Sequence, residues 1–416
     1  MKRFPIGFWN YTAAGELGPE AVRDWQELGM TYAMSPGYDE SEGDDKAAMH
    51  KILDACDACG IRVIVCDTRA EWSGAADDPE AYRKQFLEAV REFGGHPSVF
   101  GFHVGDEPGN EETFADAAAA YRIQKEAAPS LTPFLNLLPY WKGIENETSI
   151  IIQDDYSAWV SDFARKAGLD VICYDCYWQM NPEDAGTDSY FENLRHYTAA
   201  AKAAGADPWT TLLSVGHFRY RCPNEDDLRW QLNTAVVSGM KGILWFFVYE
   251  REPASNYRVP PIDEFGRRTQ TFEFLSRVNL HFQHRFGTFF TEAEHIATYH
   301  VKKAWGGYPL FVPGESGGDV LDVTTEDADL PAVFSIFRHE GKMCYAVCNN
   351  SVRESALFYL HFGPEMKGKI TRLCWNGDFR SVESDSANVY YYETEDELLV
   401  GDWAAPGQMD VYRIES

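Results

Sequence analysis

At 416 residues the chain is too long for one ordinary hydrophobic core, so two or three domains are expected. A formal net charge of -28 repels phosphate backbones and anionic lipid, which argues against nucleic acid or a membrane surface and suits an uncharged ligand. No run of about 18 apolar residues exists to span a membrane. The opening MKRFPIGFWNYT has no apolar stretch of signal length, and nine scattered cysteines fit a reducing compartment better than a disulfide framework. A cytoplasmic protein is therefore expected.

In chain order, eight short apolar runs read as strands, at 4–9, 30–34, 62–66, 99–104, 133–137, 171–174, 210–215 and 243–248. Helical patterns separate them. The first opens at Gly18-Pro19-Glu20 and closes at Leu28-Gly29, with proline in its first turn and glycine past its end. A second covers 45–59 and stops at Gly60. A third, after Asp78-Pro79, repeats Tyr82, Phe86, Leu87, Val90 and Phe93 at spacings of one, three and four. Others cover about 111–127, 155–166, 189–204, 225–238 and 268–285. Strict alternation of eight strands and eight helices predicts a (β/α)8 barrel over residues 1–287. A doubly wound sheet is the runner-up, but WNYTAAGELG after the first strand lacks the glycine-rich phosphate turn such a sheet usually carries. Beyond about 287 the helical period fades. Short runs at VFSIF, CYAVCN, ALFYLHF, KITRLCW, VYYYE and MDVYRI predict an all-β sandwich over 288–416, with GGYPLFVPGESGGDV as a loop.

Barrel enzymes build their sites at the carboxyl ends of the strands. GFHVGDEPGN follows the fourth strand and places Asp106 and Glu107 there. Adjacent carboxyls repel, which raises one pKa and lets a carboxylic acid keep its proton near neutrality, as a general acid must. An exposed acidic turn or a helix cap would use the same residues. Asp175 in CYDCYW ends the sixth strand, and Glu250 in WFFVYE follows the eighth. Aromatic and polar residues at other strand ends suit a sugar, whose C–H faces pack on flat rings. These are Trp9 and Tyr11 after strand one, with Asn10 between them, and Asn136 and Tyr140 after strand five. Tyr177 and Trp178 follow strand six, His217 strand seven, and Trp245 and Tyr249 lie on or after strand eight. His103 reads as an interior, hydrogen-bonded residue. The pairs Cys56/Cys59 and Cys173/Cys176 have metal-ligand spacing, but they sit on a helix and near a strand end without knuckle glycines; they read as core thiols, and no metal or cofactor is expected.

GFHVGDEP, FLNLLPYW, YDCYW and LRWQLNTAVVSGMKGILWFF together resemble retaining (β/α)8 glycoside hydrolases, nearest to families like the family 42 β-galactosidases and uncharacterised bacterial relatives. The likeness covers nearly all of the first 285 residues. It implies a glycosidase acting on a small carbohydrate, with Glu107 matching the acid/base Glu that ends strand four and Asp106 replacing that motif's Asn. The family's nucleophilic Glu ends strand seven, where this chain has His217; Glu225 lies further on, at the start of a helix. Three substitutes are open. Asp175 is the first choice for the opposing carboxylate, as nucleophile at about 5–5.5 Å from Glu107 or as base at 6.5 Å or more. Glu250 is the second. In the third, the Asp106-Glu107 pair resembles that of substrate-assisted N-acetylhexosaminidases, where the Asp steers the acetamido group and no second carboxylate is needed. Two other readings also stand: a carbohydrate-binding barrel that has lost catalysis, and a lyase or isomerase with a metal on Asp106, Glu107 and Asp175.

Overall fold

Helix starts in this chain are written by short polar side chains. The Asp45 carboxylate accepts from the N–H groups of Ala47 and Ala48 and so opens the helix Lys46–Cys59, which ends at left-handed Gly60. Asp78 and Pro79 start the helix Pro79–Ala89, and Asn110 with Thr113 forms a reciprocal capping box at Glu111–Ala127. In the computed structural model, which describes residues 3–148, 155–184, 186–250, 256–326, 329–384 and 389–415, these helices alternate with eight strands. The strands are β1 (Ile6–Phe8), β2 (Tyr32–Met34), β3 (Arg62–Val65), β4 (Val99–Asp106), β5 (Phe134–Leu137), β6 (Val171–Asp175), β7 (Asp207–Leu213) and β8 (Gly242–Phe246). All neighbours are parallel, in the order β1-β8-β7-β6-β5-β4-β3-β2. The two ends of this sheet meet where the Thr31 N–H, entering β2, donates to the Ile6 carbonyl of β1 at 2.8 Å. The chain is a (β/α)8 barrel with a β-sandwich unit, as expected.

The chain forms two units, one made of Pro5–Cys222 and Gly242–Asn279, the other of Met1–Phe4, Pro223–Lys241 and Leu280–Ser416. The barrel is filled rather than hollow. Trp209 of β7 stacks on Phe100 and meets Tyr32 edge-on, with Phe134 also against it, so one layer of rings plugs the cylinder. Glycines make room for this. A Cβ on Gly242 would lie 2.4 Å from the Trp209 ring, and one on Gly101 would lie 1.7 Å from the Thr132 carbonyl.

In the second unit, β9 (Glu294–Val301), β10 (Val320–Thr325), β11 (Ala332–His339), β12 (Lys342–Asn349), β13 (Ala356–Phe362), β14 (Ile370–Leu373), β15 (Phe379–Ser381), β16 (Tyr390–Glu393), β17 (Leu398–Ala404) and β18 (Met409–Ile414) form two antiparallel sheets. One has the order β10-β13-β17-β16, the other β15-β14-β18-β12-β11-β9. Phe358, Leu360 and Val400 of the first share a core with Phe334, Tyr345 and Val347 of the second. The helix Glu225–Val237 packs on β11 and β12, where Trp230 donates to Asn350 at 2.8 Å. Among the described residues no helix is long and apolar enough to cross a membrane.

Candidate active site

β4 is the longest barrel strand and carries the site's first acids past its neighbours. Its register with β5 shifts between His103 and Gly105. Gly105 takes φ +153°, with Trp72 lying where a Cβ would stand. Such irregularities re-aim side chains at a barrel rim. Glu107 follows at φ 51°, a left-handed backbone that costs a non-glycine residue free energy, and its N–H is tied to the Asn136 carbonyl at 3.0 Å. Asp106 and Glu107 thereby open into a cavity of about 360 Å³ at the carboxyl ends of the strands.

Three acids meet there, with no lysine or arginine among the described residues that line the cavity. The Asn136 amide, on β5, donates to Asp106 at 3.0 Å and to Asp175 at 2.9 Å. Asp175, at the end of β6, is itself hydrogen-bonded to Glu107. Burial first, then the charge of Glu107, pushes the Asp175 carboxyl well above the usual range, while the Asn136 bond opposes this. Glu107 is raised by burial and by Asp106, and its hydrogen bond with Asp175 acts in the opposite direction. Asp106 is pushed up to about 7 by the same enclosure and by Asp175. The group therefore holds protons that isolated carboxyls would release, because ionising all three would crowd like charges at the mouth of one cavity, with Asp106 and Glu107 still reached by solvent.

The walls are mostly aromatic. Trp9 and Tyr11 come from the turn after β1, Tyr177 and Trp178 from the turn after β6, and Phe246 from the end of β8. Tyr177 is half-buried beside the acids, and burial of its hydroxyl followed by the charge of Asp175 holds its phenol well above 10. His217, after β7, is 4% exposed and sits between Tyr177, Tyr220, Phe246 and Tyr257. Burial, then the nearby Arg258 cation, lowers its pKa to about 4, so it is a neutral imidazole in the position where a strand-seven carboxylate was sought. His103 is likewise interior, edge-on to Trp9 and neutral through burial.

The structure thus brings Asp106, Glu107, Asn136, Asp175, Trp9, Tyr11, Tyr177, Trp178 and His217 into one cavity. It does not bring Tyr140, Trp245, Tyr249 or Glu250 to its walls. Trp245 points away from the barrel axis and donates to Asn279 at 3.1 Å. The Tyr249 hydroxyl accepts from Trp25 at 2.7 Å. Tyr140 packs on Tyr156 and His196, and Glu250 pairs through its backbone with Ile262. Asn10 turns back into its own loop to accept from Thr12. Phe218, Tyr220, Phe246 and Tyr257 also line the cavity and were not singled out in the sequence. Phe218 and Tyr220 stand one and three residues beyond His217, so the ring spacing in GHFRYR was a usable signal; Tyr257, distant from any strand end, offered none. Among the described residues no group of three His, Cys, Asp or Glu is arranged to hold a metal ion, and all nine cysteines are free thiols.

No protein-family model matches the chain, and no curated protein does. Solved structures do. A family 5 glycoside hydrolase from Bacteroides vulgatus ATCC 8482 matches with a TM-score of 0.60 at 9% identity, over 99% of this chain and 89% of that one. A family 39 glycoside hydrolase from the gut symbiont Bacteroides cellulosilyticus WH2 matches at 0.52 and 11% identity, over 99% and 81%. A β-galactosidase from the psychrophilic Marinomonas ef1 matches at 0.50 and 12% identity over 67% of this chain, which spans 59% of that enzyme's length. The structural neighbours are glycoside hydrolases, and at such identities the likeness is one of fold.

Proposed function

We propose that this protein is a glycoside hydrolase in which Glu107 protonates the leaving oxygen and Asp175 is the second carboxyl. One observation carries the reading: two carboxyls sharing a hydrogen bond at the mouth of the barrel, inside an aromatic cavity of sugar size. A glycosidic oxygen entering beside Glu107 takes its proton as the bond to the anomeric carbon breaks. The proton that Asp175 and Glu107 share passes to Glu107 as the oxygen enters and from Glu107 to the leaving group, so Asp175 is left ionised and faces the positive charge that develops on the sugar. Water then adds to the anomeric carbon and returns a proton to Glu107. The free thiols suit a cytoplasmic enzyme, and the resemblance to family 42 β-galactosidases makes galactosides the first substrates to try.

The neutral His217 favours a second reading. The end of β7 supplies no carboxylate, so a substrate carrying a 2-acetamido group would use that group as nucleophile, steered by Asp106, with Glu107 still the acid. Aryl glycosides with and without the 2-acetamido group separate the two. Under the first reading both classes, or the 2-hydroxy class alone, turn over. Under the second only N-acetylated substrates do. Glu107→Gln tests both, with a loss of about 10²–10⁴-fold expected on substrates with poor leaving groups. Near wild-type rates on those substrates would remove Glu107 from the mechanism. Sugar binding by calorimetry without turnover of any glycoside would make the barrel a binding protein instead.

A further inference from the structure

The sandwich unit has two outward sheet faces, and they differ. Val333, Ser335 and Ala346 point away from the core between the sheets, yet all three are fully buried, because the helix Glu225–Val237 covers β11 and β12. The outer face of the four-stranded sheet is not covered in this way. Strand alternation turns Phe358, Leu360 and Val400 inward and puts Tyr359, Gly401, Trp403, Tyr390 and Tyr392 on the outside. An outward face usually carries charged and short polar side chains. Here Tyr390 is 39% exposed, Tyr392 51% and Trp403 48%.

The rings are organised. Gly401 stands opposite both Tyr359 and Tyr390. A Cβ there would lie 2.7 Å from the Tyr359 ring, so the glycine lets that ring lie low over the strand. The Tyr359 and Tyr392 rings meet at 6.1 Å. Beside them His361 is fixed between Thr324, at 2.7 Å, and Glu397, at 2.8 Å. Neither Lys nor Arg occupies an outward position on the described residues of these four strands. The face therefore pairs flat apolar rings with hydroxyl, imidazole and carboxylate groups, and the described residues of its strands offer an anion no lysine or arginine.

We propose that this face is a second carbohydrate-binding surface, which takes an uncharged polysaccharide chain. A sugar chain presents C–H faces to rings and hydroxyls to the polar groups between them, and it needs no cation. Sulfated or carboxylated glycans and nucleic acid find no partner charge here. A second copy of the chain, at a net charge of -28, is repelled. The choice of ligand rests on the glycosidase reading, but binding at this face does not require the barrel to turn anything over.

The test is affinity electrophoresis of full-length Glu107→Gln protein, which does not degrade the gel, through mixed-linkage β-glucan, xylan and β-galactan. At least one polysaccharide is expected to retard it, and Tyr392→Ala with Trp403→Ala should weaken that retardation at least tenfold. Tyr392→Phe keeps the ring and keeps the retardation, while an unchanged melting temperature shows the double variant to be folded. The double variant retains wild-type turnover of small aryl glycosides when Glu107 is present, so loss of binding and loss of hydrolysis are read separately. No retardation in any of the three gels, or retardation indifferent to the double substitution, overturns the proposal. So does self-association in sedimentation that the same substitutions abolish, since a second copy would then own the face.

Discussion

Replacing Asn136 by Ala removes the single amide that holds Asp106 and Asp175 together, at 3.0 and 2.9 Å. Both bonds favour the ionised carboxylate, so each lowers the pKa of its acceptor. Hydrogen bonds to charged groups contribute about 1.5–3 kcal/mol each, and the opening of the cavity to water argues for the lower end. About 1.4 kcal/mol is one pKa unit. Deletion should therefore move Asp106 upward from about 7 by roughly one unit, and Asp175 further upward in the same direction. If turnover needs one of these acids ionised, the acidic limb of kcat/KM moves up by about one pH unit. The rate near pH 6 then falls about tenfold and recovers on the alkaline side. The assay is the pH profile on an aryl glycoside, with 13C carboxyl NMR as a readout that needs no substrate. A flat loss across pH, with both carboxyl titrations unmoved, would refute the argument and leave Asn136 a packing residue.

Phe218 lines the cavity mouth with 70% of its surface exposed on a left-handed backbone, φ 46°, a strained placement that suits a platform for the leaving group. Phe218→Ala should raise KM several-fold for aryl glycosides or disaccharides and leave glycosyl fluorides unaffected; equal loss on both would rule the platform out. Gly101→Ala forces a methyl group onto the Thr132 carbonyl and should destabilise the barrel by about 3 kcal/mol or more, read as a lower denaturant midpoint. In the sandwich unit Asp410 lies between Arg285 and Arg372; burial opposes its ionisation, but the two guanidiniums outweigh burial and hold its carboxyl below the usual range. A depressed carboxyl stabilises above its unfolded pKa and loses that contribution as pH falls through the folded one. Melting temperature should therefore drop below about pH 4, and Asp410→Asn should cost about 3–5 kcal/mol at pH 7 while flattening that acid limb.

The barrel was legible because each strand is a short apolar run closed by a turn signal, and because caps such as Asp45, Asp78 and Asn110 mark helix starts chemically. The sandwich was legible where strands are strongly apolar, as at Ala356–Phe362 and Met409–Ile414. It was not at β9, β10, β15 and β17, where residues such as Glu294, Asp322, Arg380 and Asp402 interrupt the runs and pairing with a partner strand decides the conformation. Strand-end position was enough to find the three acids, Asn136 and His217. Phase was not readable: a one-residue alternation turns Phe246 into the cavity and Trp245 away from it. Nor could spacing along the chain show that Glu107 and Asp175 touch, since that depends on the β4 irregularity at Gly105 and on how far each strand projects.

The helix Glu225–Val237 lies in the chain between β7 and β8, yet it folds as part of the unit that holds the sandwich. That unit is sewn from three separate stretches of polypeptide, so no single cut releases it whole. Severing the chain after residue 287 would strip β11 and β12 of their cover, exposing Val333 and Ala346 to solvent. Such a fragment should aggregate or fail to fold, whereas one rejoined to residues 223–241 through a linker should stay in solution.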